Sequence, residues 1–225
     1  MERILEDSQK DLIIFVAHAD DVELSSFGYI AKHYDEYESI KIILATEWEP
    51  KEATWLENLA QINNYLSCTT IPHRFDIIEY TNLGYPARRL HSEFDNLKDD
   101  FYKLIDFKKR FDILTHDSKD CHTDHLAVNQ IAMGMYKYAN RFLTAYSPSS
   151  AHFDANYFVP MDEGAYSLKK EMCMKYDIAK EQSYSKLGYY LESEEHWNIG
   201  KAYQMENFVH TDYEHYEVYR IIKWL

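Results

Sequence analysis

The sequence predicts an α/β protein built on one mostly parallel, three-layer sheet with helices on both faces. Three observations carry this expectation. Apolar runs of strand length alternate with segments of helical period along the chain. The β-α-β-α order that results calls for parallel strands joined by right-handed crossovers. No internal repeat, low-complexity tract or Pro/Gly-rich linker interrupts the pattern, so 225 residues are read as a single domain, 1–225.

The elements follow in order. Leu12-Ile13-Ile14-Phe15-Val16 is a buried strand within 12–17, and the apolar period then becomes helical over 22–34. A strand at 40–45 is followed by a helix at 52–66. A strand at 74–79 and a helix at 92–109 come next, then a strand at 112–115, a helix at 124–139 and a strand at 142–146. The stretch 147–164 holds Pro148, Ser149, Ser150, Pro160 and Gly164 and reads as a long loop, of the kind that lids or lines a site. Helical stretches at 165–182 and 193–205 follow, and Tyr216-Glu217-Val218-Tyr219-Arg220-Ile221-Ile222 reads as a final strand. This is a Rossmann-like layout, but its first strand-to-helix turn lacks the GxGxxG that dinucleotide binding requires.

Composition excludes several classes. Apolar residues make up 46% and charged residues 28%, the proportions of a folded soluble protein rather than a disordered one. A formal net charge of −14 opposes nonspecific nucleic-acid binding and attachment to an anionic membrane. The acidic residues are spread along the chain, as on a solvated surface. The longest apolar runs fall far short of the roughly 20 residues of a membrane span, so no membrane insertion is expected. Met1-Glu2-Arg3-Ile4-Leu5-Glu6-Asp7 has no apolar core of a secretory signal. Three cysteines, Cys68, Cys121 and Cys173, without CxxC spacing, fit free thiols in a reducing compartment, so a cytoplasmic location is expected. The oligomeric state is left open.

Two polar segments carry the chemistry. Ala17-His18-Ala19-Asp20-Asp21-Val22-Glu23 follows the first strand, and Asp120-Cys121-His122-Thr123-Asp124-His125 follows the strand at 112–115. Residues placed there lie beyond the carboxyl ends of strands, where open α/β sheets bind ligands. His18 and Asp21, three apart in a tight turn, can converge on one ion, with His125 as third ligand. Two imidazoles and a carboxylate suit Zn2+, and also Fe2+ or Co2+, and leave coordination positions open for water and substrate. Asp20, between the ligands, is assigned as general base, and His122, as imidazolium, as stabiliser of an oxyanion, oriented by Asp124. Helix capping by Asp20, Asp21 or Thr123 is the competing explanation for the acidic turn. Glu23 reads equally as a supporting residue and as a first-turn acid that suits the helix dipole. Cys121 is not assigned as a ligand, because its neighbours supply a better set.

At these residues the chain resembles the PIG-L/LmbE-like N-deacetylases, zinc enzymes that remove acetyl groups from N-acetylglucosamine-type sugars. The family motif Ala-His-Pro-Asp-Asp-x-Glu appears as residues 17–23, and His-x-Asp-His as His122-Thr123-Asp124-His125. A weaker pattern near the C-terminus is matched by Lys175-Tyr176-Asp177-Ile178-Ala179-Lys180-Glu181-Gln182-Ser183. The resemblance implies zinc at His18, Asp21 and His125, Asp20 as general base, and His122 with Asp124 on the oxyanion. It alone supplies the small-molecule amino-sugar substrate. The chain departs from the family elsewhere: Ala19 replaces the motif proline, and Leu24-Ser25-Ser26-Phe27 replaces a glycine-rich start. Thr46-Glu47-Trp48-Glu49 replaces Thr-x-Gly-Glu, and Trp55 takes the place of a common arginine. Leu83-Gly84-Tyr85-Pro86 leads into Ala87-Arg88-Arg89 where an acidic sugar-binding residue is usual. Trp48, Arg88 and Arg89 are therefore the candidates for substrate contact, the arginines toward an anionic group such as a nucleotide-sugar diphosphate or, alternatively, simply toward solvent. Hydrolysis of another bond, such as a phosphoester, and a noncatalytic relative of the fold are the alternative functions.

Overall fold

A computed structural model describes residues 10–47, 52–69, 77–150, 152–179 and 215–224. Seven strands form one sheet: β1 Lys10–Val16, β2 Ser39–Thr46, β3 Ile78–Tyr85, β4 Arg110–His116, β5 Arg141–Ala145, β6 Tyr157–Met161 and β7 His215–Trp224. Their order is β3-β2-β1-β4-β5-β7-β6. The first five are parallel, while β7 runs antiparallel to both β5 and β6. Among the described residues six α-helices accompany them: α1 Asp21–Ser25, α2 Phe27–His33, α3 Glu52–Thr69, α4 Phe94–Lys103, α5 Thr123–Met133 and α6 Glu163–Ala179.

Every residue of β1 is buried. That is why it reads as a continuous apolar run, since a central parallel strand is covered on both faces. Alternate residues then divide between two cores. Leu12, Ile14 and Val16 join Ile40, Ile42 and Leu44 of β2 under α1, α2, α3 and α6. Ile13, Phe15 and Ile113 face the other way, into α4 and α5. There the Phe15 and Phe101 rings stack at 4.1 Å. Helix α2 approaches β6 and β7 so closely that a Cβ at Gly28 would lie 2.8 Å from Glu217 Cδ and 2.9 Å from Met161 Sδ.

The α/β class and mostly parallel sheet stand as the sequence predicts. Five elements differ. The helix expected over 22–34 breaks at Ser26 into α1 and α2. Of the strand expected at 74–79, residues 74–76 lie outside the described residues, and the described strand runs Ile78–Tyr85; it is an edge strand with exposed residues, so its apolar signal is weak. The loop expected at 147–164 contains β6. The helices expected at 92–109 and 124–139 stop at Lys103 and Met133 and continue as turns. The helix expected at 193–205 lies outside the described residues. Among the described residues, no helix is long and apolar enough to cross a membrane.

Strand order reverses between β1 and β4: β2 lies on the far side of β1, and β5 on the far side of β4. Such a switch point leaves a crevice beyond the strand ends. β1 and β4 pair in register, Phe15 opposite Thr115, so the two polar segments leave the sheet side by side there.

Candidate metal centre

The first segment closes as a turn. The Asp21 N–H donates to the His18 carbonyl at 3.2 Å. Asp20 has φ −91° and ψ −10°, the values of the third residue of a type I turn. Asp20 makes no side-chain capping bond to α1, so capping does not account for its carboxyl group. Asp21 folds its carboxylate back, and Oδ2 accepts from the His18 N–H at 2.6 Å.

In the second segment His122 caps α5. Its Nδ1 accepts the Asp124 N–H at 3.2 Å. His125, buried one turn further on, contacts Asp120 Oδ2 through Nδ1 at 2.8 Å. Asp120 is held in turn by the Ser147 and Ser149 hydroxyls, each at 2.6 Å, and by the His122 N–H at 2.8 Å. The Asp124 carboxylate accepts from the Arg88 N–H at 2.6 Å and lies 3.3 Å from His18 Nε2.

These contacts fix where the imidazole protons lie. A carboxylate only accepts, so His125 Nδ1 and His18 Nε2 carry the N–H groups. The remaining nitrogens, His18 Nδ1 and His125 Nε2, face each other at 3.2 Å. Asp21 approaches the first through Oδ2 at 3.4 Å and the second through Oδ1 at 3.5 Å. Without a metal both nitrogens hold protons beside the Asp21 carboxylate; deprotonated, they and the carboxylate make a donor set for a cation. The spacing fits a metal: for bonds of about 2.0–2.1 Å, tetrahedral neighbours lie ~3.3–3.4 Å apart. Three such ligands leave a position open. The carboxylate–histidine pairs behind both rings are the supports that metal-binding imidazoles need.

The electrostatics agree. Burial disfavours a charged His125, but Asp21 and Asp120 outweigh it and raise its pKa to about 10. His18 likewise rises to about 9, burial being outweighed by Asp124 and Asp21. Burial also works against an ionised Asp21, yet His125 and His116 hold it well below the usual carboxylate range. Asp120 and Asp124 are both lowered, against burial, by hydrogen bonds led by His125 and His18 respectively.

His18, Asp21 and His125, the expected ligands, thus lie side by side, each within 3.5 Å of the other two. Asp20 and His122 border it: donors of His18, Asp20 and Asp21 lie within 4.8 Å of one another, as do those of His18, His122 and His125. Two details differ from the sequence reading. The Asp124 carboxylate supports His18, whereas His122 meets only the Asp124 N–H. And with Nδ1 occupied as an acceptor, His122 is a neutral ring whose Nε2 carries the proton. Burial, His125 and His18 all push its pKa down, opposite to the imidazolium expected. Arg88 enters through its backbone, at φ 66°, while the side chains of Arg88 and Arg89 are exposed. Trp55 is fully buried in the core against Tyr80. Lys175 pairs with Glu57 at 2.7 Å on the surface. Trp48 and Gln182-Ser183 lie outside the described residues.

Sequence reasoning missed His116, Asp120, Ser147 and Ser149. His116 is 2% exposed; its Nε2 accepts the Ala17 N–H at 3.0 Å and lies 3.3 Å from Asp21. Burial and His125 lower its pKa, keeping it neutral. The available signal was position: each of these residues ends or follows an apolar strand, on the same edge of the sheet as the two motifs.

A doubly wound sheet thus carries, at its switch point, a cluster of histidines and aspartates that could hold a metal ion. Residues 13–136, more than half of the chain, match the family PIG-L: GlcNAc-PI de-N-acetylase, and the chain belongs to it. Solved structures share the fold at low identity. The N,N'-diacetylchitobiose deacetylase from Pyrococcus horikoshii is 14% identical with a TM-score of 0.63, over 95% of this chain and 84% of its own. The antimicrobial reagent A40926 pseudoaglycone deacetylase Dbv21 is 13% identical with a TM-score of 0.64, over 95% and 98%. The 4-carboxy-2-hydroxymuconate hydratase GalB from Pseudomonas putida KT2440 is 14% identical with a TM-score of 0.62, over 95% and 96%. One fold therefore serves both amide hydrolysis and hydration, and the site must decide between them. None of the curated protein sequences matches this chain.

Proposed function

We propose that the protein is a zinc-dependent N-deacetylase that hydrolyses the acetamide of an amino sugar or a sugar conjugate. The facing of His18 Nδ1 and His125 Nε2 across 3.2 Å, closed by Asp21, carries this reading. Family membership supplies the bond class. The sugar is the acceptor named for the chitobiose deacetylase and for the family. Fe2+ and Co2+ suit the same donors. The free thiols Cys68, Cys121 and Cys173 fit a reducing, cytoplasmic setting.

His18, Asp21 and His125 would hold the zinc, and the chemistry it would supply there is Lewis acidity toward water and the amide carbonyl. Asp20 takes the proton of the attacking water as its oxygen adds to the amide carbon. The carbonyl oxygen gains charge and accepts from the His122 Nε2–H, a neutral donor in the tautomer that the Asp124 N–H imposes. Asp20 then returns its proton to the departing nitrogen as the C–N bond breaks, leaving acetate and a free amine. Asp120 and Asp124 hold the His125 and His18 rings throughout. Arg88 and Arg89, exposed near the Asp124 end of the site, are the groups for an anionic portion of the substrate.

Acetate release from N-acetylated sugars and nucleotide sugars by zinc-loaded protein tests the proposal, with Asp20→Ala as control. Release by the wild type and loss in the variant supports it. Absence of release from every sugar, or equal release by the variant, overturns it.

A further inference from the structure

The turn that carries His18, Asp20 and Asp21 is held from outside by a residue of α6. Ala19 is the second residue of this type I turn, the position at which proline presets the backbone. The chain has no proline there. Instead the Tyr176 hydroxyl, fully buried, reaches across from α6 and donates to the Ala19 carbonyl at 2.9 Å. The same hydroxyl lies 2.7 Å from Glu23 Oε1, which also accepts from Asn58 Nδ2 at 2.9 Å. Asn58 is tied in turn to the Met172 carbonyl, one turn before Tyr176. The one hydroxyl proton is thus shared between the Ala19 carbonyl and Glu23, on either side of the two carboxylates at Asp20 and Asp21.

We propose that Tyr176 is a positioning residue for the metal-binding turn, supplying through a tertiary hydrogen bond the stiffness that proline would supply covalently. A free Ala19 carbonyl would let the His18–Asp21 peptides rotate, and His18 Nδ1 and Asp21 would then lose their common aim. The activity consequence rests on the deacetylase reading; the metal consequence does not, because it is measured without substrate.

The test is the zinc dissociation constant, by competition with a chromophoric chelator, for wild type, Tyr176→Phe, Ala19→Pro and the double variant. Tyr176→Phe keeps the buried ring. Loss of an outer support of this kind weakens metal binding about tenfold or more. Ala19→Pro, whose N–H donates no hydrogen bond among the described residues, should bind zinc as the wild type does. The double variant should recover to within about threefold of it, a difference of about 0.7 kcal/mol. A residue that merely filled the core would not be rescued by a proline in the turn. On a responsive sugar, kcat should fall and recover in the same order while KM stays put. Unchanged zinc affinity in Tyr176→Phe overturns the proposal, as does a folded double variant no tighter than Tyr176→Phe. Should Tyr176→Phe not fold, a folded, zinc-tight double variant still supports it, and an unfolded one, showing that Tyr176 serves the core, overturns it. Absence of acetate release by the wild type would remove the deacetylase reading and leave this measurement intact.

Discussion

The His116 ring lies flat on that of His125, with centroids 3.8 Å apart and planes 10° from parallel. His116 therefore fixes the plane of the His125 imidazole, a proposed metal ligand, as well as accepting the Ala17 N–H. Replacing it with alanine frees that plane and leaves a buried N–H without its acceptor. His116→Ala should weaken zinc binding by about 10–100-fold, as loss of an outer-shell partner does. Chelator competition measures this, and affinity within twofold of wild type would rule the role out.

Asp120 offers a sharper case, because one carboxylate serves His125, Ser147, Ser149 and the His122 N–H. Asp120→Asn keeps the shape and halves the accepting capacity. His125 then loses the anion that makes its Nε2 a strong donor. Zinc affinity should drop by about 10–100-fold. Ser147→Ala, which removes one of several bonds to Asp120, should cost less. The reverse order in the same titration would show that Asp120 does not act through His125.

On the proposed zinc reading, metal and protons compete for the same nitrogens. Without metal, His18 is raised to about 9 and His125 to about 10, against 6.5 for an unperturbed histidine. The sign follows: these groups stabilise the metal-free protein fully below pH 6.5, and the contribution is lost as pH rises through 9 to 10. Metal binding runs the other way and tightens over that range. Calorimetry at pH 7 in buffers of different ionisation enthalpy should register proton release on zinc binding, fading toward pH 10. Zinc uptake at pH 7 without proton release would contradict the arrangement.

Gly28→Ala tests the packing of α2 on β6 and β7. A Cβ would meet Glu217 and Met161 at under 3.0 Å. Overpacking of this size costs about 1–3 kcal/mol. Urea denaturation should show a lower midpoint at unchanged slope, and an unchanged midpoint would mean that Glu217 yields freely.

The parts of the centre that the sequence made legible are those set by local position. His18, Asp21 and His125 follow apolar runs of strand length, and strand ends at a switch point converge. What stayed hidden depends on distant pieces of chain. His18 and Asp124 are 106 residues apart, and their contact follows from how α5 sits against the first turn. Arg88 contributes a backbone N–H that any residue type could supply. β3 and β6, the two edge strands, escaped or slipped because an edge needs less apolar sequence, and β6 carries Pro160 as an edge strand can.

Strand β7 lies between β5 and β6. On the ribosome, Lys10 through Ala145 emerge early, so five parallel strands and both metal motifs are available to assemble while β6 waits without a neighbour. Only when His215–Trp224 leaves the exit tunnel can the sheet be extended, and with it Glu217, which the Tyr29 N–H and Lys169 both use. At about 5–20 residues per second this interval lasts several seconds. A chain stalled or cleaved in that window would hold its metal ligands with a raw sheet edge beside them, a form that quality control would meet before any substrate does.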